Sequence, residues 1–259
     1  MEHIFSQLPH PVDILLDPLS LYVLGAYALL IAWEEIFPAR KLPKVKYWRI
    51  KGLTFFFTFF FVASYLPLFT DSYLAEYQLI DLSSWGVLPS AILGFIVLEL
   101  VQYAYHRMVH RFDFLWRYAH QVHHSAERLD CYGALFHSPL DMIGFTLVGS
   151  VSFALIIGLP PHAITANIFV INFLAFFQHA NINTPRWLGY IVQRPESHSL
   201  HHGRGNHRYN YADLPLIDML FGTFQNPYNY FEKTGFYDGA SSRILDMFRG
   251  KDIAKQPES

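Results

Sequence analysis

The 259-residue chain reads as an all-α, polytopic membrane helix bundle of four to five apolar spans with a histidine-rich cytosolic helical cap. Three observations carry that reading. Hydrophobic residues make up 52% of the chain and charged residues only 15%, where a soluble domain carries roughly a quarter charged. Five apolar stretches, with their flanks, are long enough to cross about 30 Å of hydrocarbon. Most of the 14 histidines fall into short clusters that follow the apolar stretches directly.

The first sixteen residues carry Glu2 and Asp13 in place of the positive region that opens a signal peptide, so they are expected to stay as a short exposed leader. Leu19 to Trp33 forms the first span. Arg40, Lys41, Lys44, Lys46, Arg49 and Lys51 follow with no acid among them, and such a loop stays in the cytosol. The second span, Leu53 to Phe69, has FFFTFFF at its core; Asp71, Glu76 and Asp81 then mark the translocated side. A third span, Trp85 to Tyr105, completes the first three membrane helices within 19–105. Residues 106–141 form the first part of the cap. Residues 142–178 make a membrane hairpin, Met142 to Leu159 and His162 to Phe177, that turns at Pro160-Pro161. The remainder of the cap is 179–249, with a short amphipathic surface helix around Ile244 to Phe248, and 250–259 is a loose tail; the whole is a single membrane domain.

Counted this way, all 19 Lys and Arg lie on the side of the histidine clusters, which places that side in the cytosol. Trp33, Trp48, Trp85, Trp116 and Trp187 stand at the edges of apolar stretches and are expected in the headgroup region. The C-terminus has no dilysine retrieval signal, which favours a bacterial inner membrane over the endoplasmic reticulum. A net charge of -2 gives no reason to invoke nucleic acid. One cysteine, Cys131, excludes a disulfide framework, a zinc ribbon and an iron–sulfur cluster.

The chemistry lies in the histidines. HRMVH places His106 and His110 at i and i+4. HQVHH and HSLHH place His120, His123, His124 and His198, His201, His202 at i, i+3 and i+4, where helical rings can converge. His179 ends the fifth span on the same side. Nine imidazoles exceed the four ligands of a zinc site and suggest two metal ions with five or six positions each. Imidazole suits iron, copper, nickel and zinc alike; a redox pair beside a membrane, needing only imidazoles and an open position for dioxygen, points to iron. His3, His10 and His162 stand alone and read as ordinary solvated residues, whereas His137 and His207 stand between the two cases, as candidates for a ligand or for a group that orients a ligand. Glu99 lies inside the third span, where a carboxyl is costly unless paired. It shares a helical stripe with Tyr103, His106 and His110, so it is placed to accept the free ring N–H of a liganding histidine.

HRMVH, HQVHH, QHANI and HSLHH, followed by Asn210-Tyr211 and by Asp218 with Phe221-Gly222-Thr223, resemble the fatty acid hydroxylase and sterol desaturase superfamily of integral-membrane di-iron enzymes over roughly Glu99 to Thr223. The resemblance implies a cytosolic histidine cap over about four membrane helices, two iron ions, and use of dioxygen to hydroxylate or desaturate a membrane lipid such as a fatty acyl chain or sterol. An ether-lipid monooxygenase of the same superfamily fits the motifs equally. It also marks Asp218 as a site residue. In the fatty acid 2-hydroxylase branch the third motif resembles HxxxH; here Asn183 stands at i+4 from His179 and is a weak or water-mediated ligand candidate. FHSPLD, around His137, resembles a histidine-proline element of the family.

Gly203-Arg204-Gly205 lacks the third glycine and preceding strand of a nucleotide site, and no HPGG haem element is present. Electrons are therefore expected from a separate ferredoxin, cytochrome or reductase docking on the basic face. A membrane metal transporter or sensor would instead place ligands along a path inside the spans, and spans one, two and four contain no histidine.

Overall fold

The computed structural model describes residues 8–254; the start of the leader with His3 and the end of the tail lie outside them. Among the described residues five helices are long and apolar enough to cross a membrane: α2 (Pro18–Ile36), α3 (Trp48–Ala75), α4 (Val87–Arg111), α6 (Pro139–Ser150, continued by a π-helix to Ile156) and α7 (Pro161–His179). Each of the five spans expected from the sequence is present. Between 10 and 16 the leader winds a short helix, α1 (Pro11–Leu16), whose first turn is capped by the His10 ring. The connections on the cap side carry α5 (Gln121–His124), α8 (Pro195–His201), α9 (Pro215–Phe221) and α10 (Ile244–Phe248). On the far side β1 (Ile80–Asp81) and β2 (Ile157–Gly158) pair in parallel and close the hairpin turn.

Most boundaries extend beyond the apolar stretch. α4 runs through HRMVH to Arg111, and α3 begins five residues before Leu53. In these extensions Trp48, Gly52, His106 and Val109 are buried against the cap, whereas Arg49, Arg107 and Arg111 stay exposed. α3 packs along α6, and α7 lies against both α2 and α4. Tyr27 stacks on Phe56 at 4.1 Å between ring centroids and meets Phe176 at 5.0 Å, so α2, α3 and α7 share one aromatic contact. Elsewhere the outward faces of the spans stay apolar, as lipid contact requires.

Polar ties fasten the bundle to the cap. The Glu34 carboxylate, near the end of α2, is buried and accepts the backbone N–H groups of Cys131 (3.0 Å) and Asn181 (3.0 Å). Those two segments follow the second histidine motif and His179. Trp48 is no headgroup residue: it is buried and donates to Asp130 Oδ1 at 2.8 Å. Trp116 also turns inward, with its ring 5.3 Å from His110, whereas Trp33, Trp85 and Trp187 are exposed. The first residues of the tail are docked, not loose. Gln121 donates to Lys251 O and accepts from Ile253 N, and the Ile253 side chain is buried beside Trp48 and Phe136.

Replacing Glu34 by Ala leaves two buried N–H donors without an acceptor and should cost about 2–4 kcal/mol. A marked fall in the thermal midpoint of the detergent-solubilised protein is the expected reading; an unchanged midpoint would contradict this role.

Candidate metal centre

The nine clustered histidines come from four places in the chain and converge on the cap side into two groups. His106, His110, His120, His124 and His201 form one; His123, His179, His198 and His202 form the other, with the ligand atoms of each group within 4.8 Å of one another. Helical geometry explains the split. Residues at i and i+4 point the same way, while their i+3 neighbour is turned aside by most of a right angle. His120, just before α5, and His124 therefore serve the first group and His123 the second. His198 and His202, which caps the end of α8, serve the second and His201 the first. The π-turn Trp116–His120 directly precedes α5, a local widening that recurs at functional sites.

Atoms outside the groups orient the rings. His106 Nδ1 lies 2.7 Å from Tyr211 O, His201 Nδ1 2.7 Å from Tyr209 O, and His179 Nδ1 2.7 Å from Ala175 O. A carbonyl can only accept, so each Nδ1 carries the proton and each Nε2 lone pair faces the group. For His120 the acceptor is Asp141 Oδ2 at 2.8 Å. The same oxygen accepts His137 Nδ1 at 2.7 Å, and Tyr105 OH donates to Oδ1 at 3.0 Å. Gly144 makes room for that hydroxyl, which a Cβ there would overlap.

The donor set fits metal ions. Neighbouring Nε2 atoms lie 3.1–3.2 Å apart, as in His106–His120, His120–His124, His123–His179 and His179–His198. Two nitrogens about 2.1 Å from one ion at right angles would be about 3.0 Å apart. The buried Nε2 atoms of His110 and His201 have no hydrogen-bond partner in the protein; in His123, His124, His198 and His202 the nitrogen without a partner is Nδ1, and Nε2 faces the neighbouring rings. Burial, reinforced by neighbouring imidazoles, holds His123, His124, His198, His201 and His202 well below the usual histidine range. For His120 burial outweighs the Asp141 carboxylate, and its pKa is also lowered. Neutral rings keep the lone pairs that a metal needs.

The remaining sequence candidates separate. His137 lies outside both groups, stacked on His123 with ring centroids 4.0 Å apart, and is tied to Asp141. His207 packs on His124 at 4.8 Å without joining a group, and burial lowers its pKa to about 4. Asn183 is exposed, so the structure removes it from the centre; His179 ends α7 and the chain leaves in extended form before reaching i+4. Glu99 accepts from Leu214 N at 2.8 Å and from no histidine, because the 211–214 loop fills the groove beside its helix. Asp218 accepts the N–H groups of Tyr211 and Ala212, both at 2.9 Å, and so shapes the loop whose carbonyl orients His106. Sequence reasoning missed Asp141; its signal was the i+4 spacing from His137 within FHSPLD.

Asp141→Ala should weaken metal retention about 10–100-fold, the usual cost of losing a group that orients a ligand, whereas Asn183→Ala should leave it unchanged. Metal content after graded chelator dialysis reads both. Equal retention in the two variants would remove Asp141 from this role.

A family model described as fatty acid hydroxylase matches residues 91–223, just over half of the chain. Similar curated proteins include alkylglycerol monooxygenase from Homo sapiens, 31% identical over 136 residues that cover 51% of this chain and 30% of that protein. Sphinganine C4-monooxygenase 1 from Arabidopsis thaliana is 28% identical over 145 residues, 53% of this chain and 54% of its own length. Ornithine lipid hydroxylase OlsE from Rhizobium tropici is 31% identical over 156 residues, 55% and 44% respectively. The chain thus spans about a third to a half of the length of these relatives. No solved structure matches it significantly. With five apolar helices of spanning length and the family's histidine motifs in order, the chain is a multi-pass integral membrane protein and belongs to the fatty acid hydroxylase family.

Proposed function

We propose that the protein is a dioxygen-dependent membrane lipid oxidase whose two histidine groups each hold one iron ion. The observation that carries this reading is the closure of nine imidazoles into groups of five and four at the head of an apolar cavity. A bound pair of irons supplies dioxygen chemistry strong enough to oxidise an unactivated C–H bond.

The protein's own residues do the rest. Tyr211 O, Tyr209 O, Ala175 O and Asp141 hold protons at Nδ1, so the inward Nε2 atoms stay free to bind. His106, His120, His123, His179 and His198 line a cavity of about 160 Å³ together with Phe59, Phe145 and Ile171. Phe59, Ala63, Leu135 and Asn172 also line a second cavity of about 570 Å³ that reaches Asp17 and Pro67 at the far ends of α2 and α3. A long single chain lying in this path excludes water and presents one carbon to the centre, which sets regioselectivity. The chemistry of the path suits fatty acyl, sphingoid and alkyl ether chains alike, and the names of the relatives include both alkylglycerol and sphinganine oxidation.

Electrons come from a separate electron-transfer protein. Arg107, Arg111 and Arg208 line an open groove that includes His110, and offer a positive face to an acidic donor. The basic loops put this face in the cytosol, and a bacterial inner membrane is the proposed location.

Comparative lipid analysis of cells with the protein, without it, and with His123→Ala tests the reading. An oxidised lipid that needs the protein and disappears in the variant is expected, together with close to two irons per purified chain. A product that persists in His123→Ala would overturn the assignment. Labile metal with flux in proteoliposomes would point to a carrier instead.

A further inference from the structure

The segment after the last histidine motif leaves the cap. Tyr211 O lies beside His106 Nδ1, Asp213 Oδ1 accepts from Gln178 Nε2 at 2.8 Å, and Leu214 N donates to Glu99 Oε2 at 2.8 Å. The chain then turns into α9 and climbs back. Phe221 stacks on Tyr103 with ring centroids 4.8 Å apart, and the Thr223 and Tyr103 hydroxyls meet at 3.1 Å. On α4 these partners are successive levels of one helix. At 1.5 Å per residue, Glu99 lies about 10 Å below His106 and about 18 Å below Arg111. Counting about 20 residues from Val87, where α4 starts, puts the cap-side edge of the hydrocarbon near His106. Leu214 and the first turn of α9 therefore sit about 10 Å inside it.

Irregular backbone is tolerated at that depth only when its polar groups are paired within the protein. Here they are. Asp218 is fully buried and takes Tyr211 N, Ala212 N and the Thr223 hydroxyl; Asp213 O accepts from Gln193 N; Gly222, at φ 72°, ends the helix. The outer face of α9 bears no charge. Leu216, Met219, Leu220 and Phe221 are 38–69% exposed there, and they extend the outward surface that Ile96 and Leu100 present on α4. Trp187 and Tyr190, also exposed, belong to the turn packed against α9.

We propose that Leu214–Phe221 is a re-entrant segment seated among the acyl chains of the leaflet on the metal-centre side, with Trp187 and Tyr190 at headgroup level. The loop whose carbonyl orients His106 is thus anchored from within the membrane. The occupant of the apolar face is lipid and not a protein partner, because the face continues the lipid-facing surface of a spanning helix at the same depth.

The native chain has a single cysteine, Cys131, which is buried, so introduced thiols report cleanly. Leu220→Cys, Ile96→Cys on α4 and Glu232→Cys on the exposed cap surface would each be labelled with bimane in detergent and moved into nanodiscs of acyl-brominated phosphatidylcholine. Bimane at Leu220 should lose as much fluorescence to the brominated chains as bimane at Ile96, and resist iodide; the label at Glu232 should behave in the opposite way. Iodide quenching at Leu220 equal to that at Glu232 would overturn the proposal. So would resistance to both quenchers, which would assign the face to a protein contact. Neither reading depends on metal content or activity.

Discussion

Nine imidazoles are buried at one end of a bundle whose interior offers them almost nothing else to bond. That constraint governs the architecture. A buried ring nitrogen left unpaired costs about 1–3 kcal/mol, and the inward Nε2 atoms of His110 and His201 have no partner within the protein. Inward lone pairs therefore call for a cation, and the outward N–H groups of His106, His120, His179 and His201 find fixed acceptors. Acceptors come from separate elements: a helix carbonyl at Ala175, loop carbonyls at Tyr209 and Tyr211, and the Asp141 carboxylate at the start of α6. Ring orientation therefore depends on how the helix ends and cap loops are held together.

The bundle meets this demand with buried polar ties near its cap-side end and apolar contacts below. Glu34 and Trp48 each reach from a spanning helix to a cap segment, and Glu99 reaches from α4 to the loop that enters beside it. In a membrane such ties cannot be exchanged for water, which makes them more binding on geometry than their surface counterparts. Asp141 goes further. One of its oxygens holds His120 of the first group and His137, whose ring lies flat on His123 of the second, so a single carboxylate bears on both groups. Below this layer the lining becomes apolar and the cavities lead away from the histidines.

Much of this was legible in the residues. Five apolar stretches, the acid-free basic loop and the HxxxH and HxxHH spacings led to five spanning helices with all nine histidines on one side, and the structure has them. The failures share a cause. Glu99 was read from a stripe on one helix, and no periodicity can reveal that the 211–214 loop occupies the groove beside it. Asn183 was read by spacing from His179, but α7 stops there and the i+4 relation lapses. Trp48 and the Lys251–Ile253 segment were read from their neighbours in sequence, while their partners Asp130 and Gln121 lie far along the chain.

The sequence by itself determined the residue chemistry, the number of spans and that the histidine motifs share one end of the bundle, since hydropathy acts on each segment separately. It also determined that i and i+4 histidines act together, because helix geometry is local. Only the tertiary structure decided which histidines share a group, that His137 and His207 stand outside both, and that Asp141 orients His120. Those outcomes depend on how four separate helix ends are rotated against one another, and that rotation is set by packing and buried hydrogen bonds between residues distant in sequence.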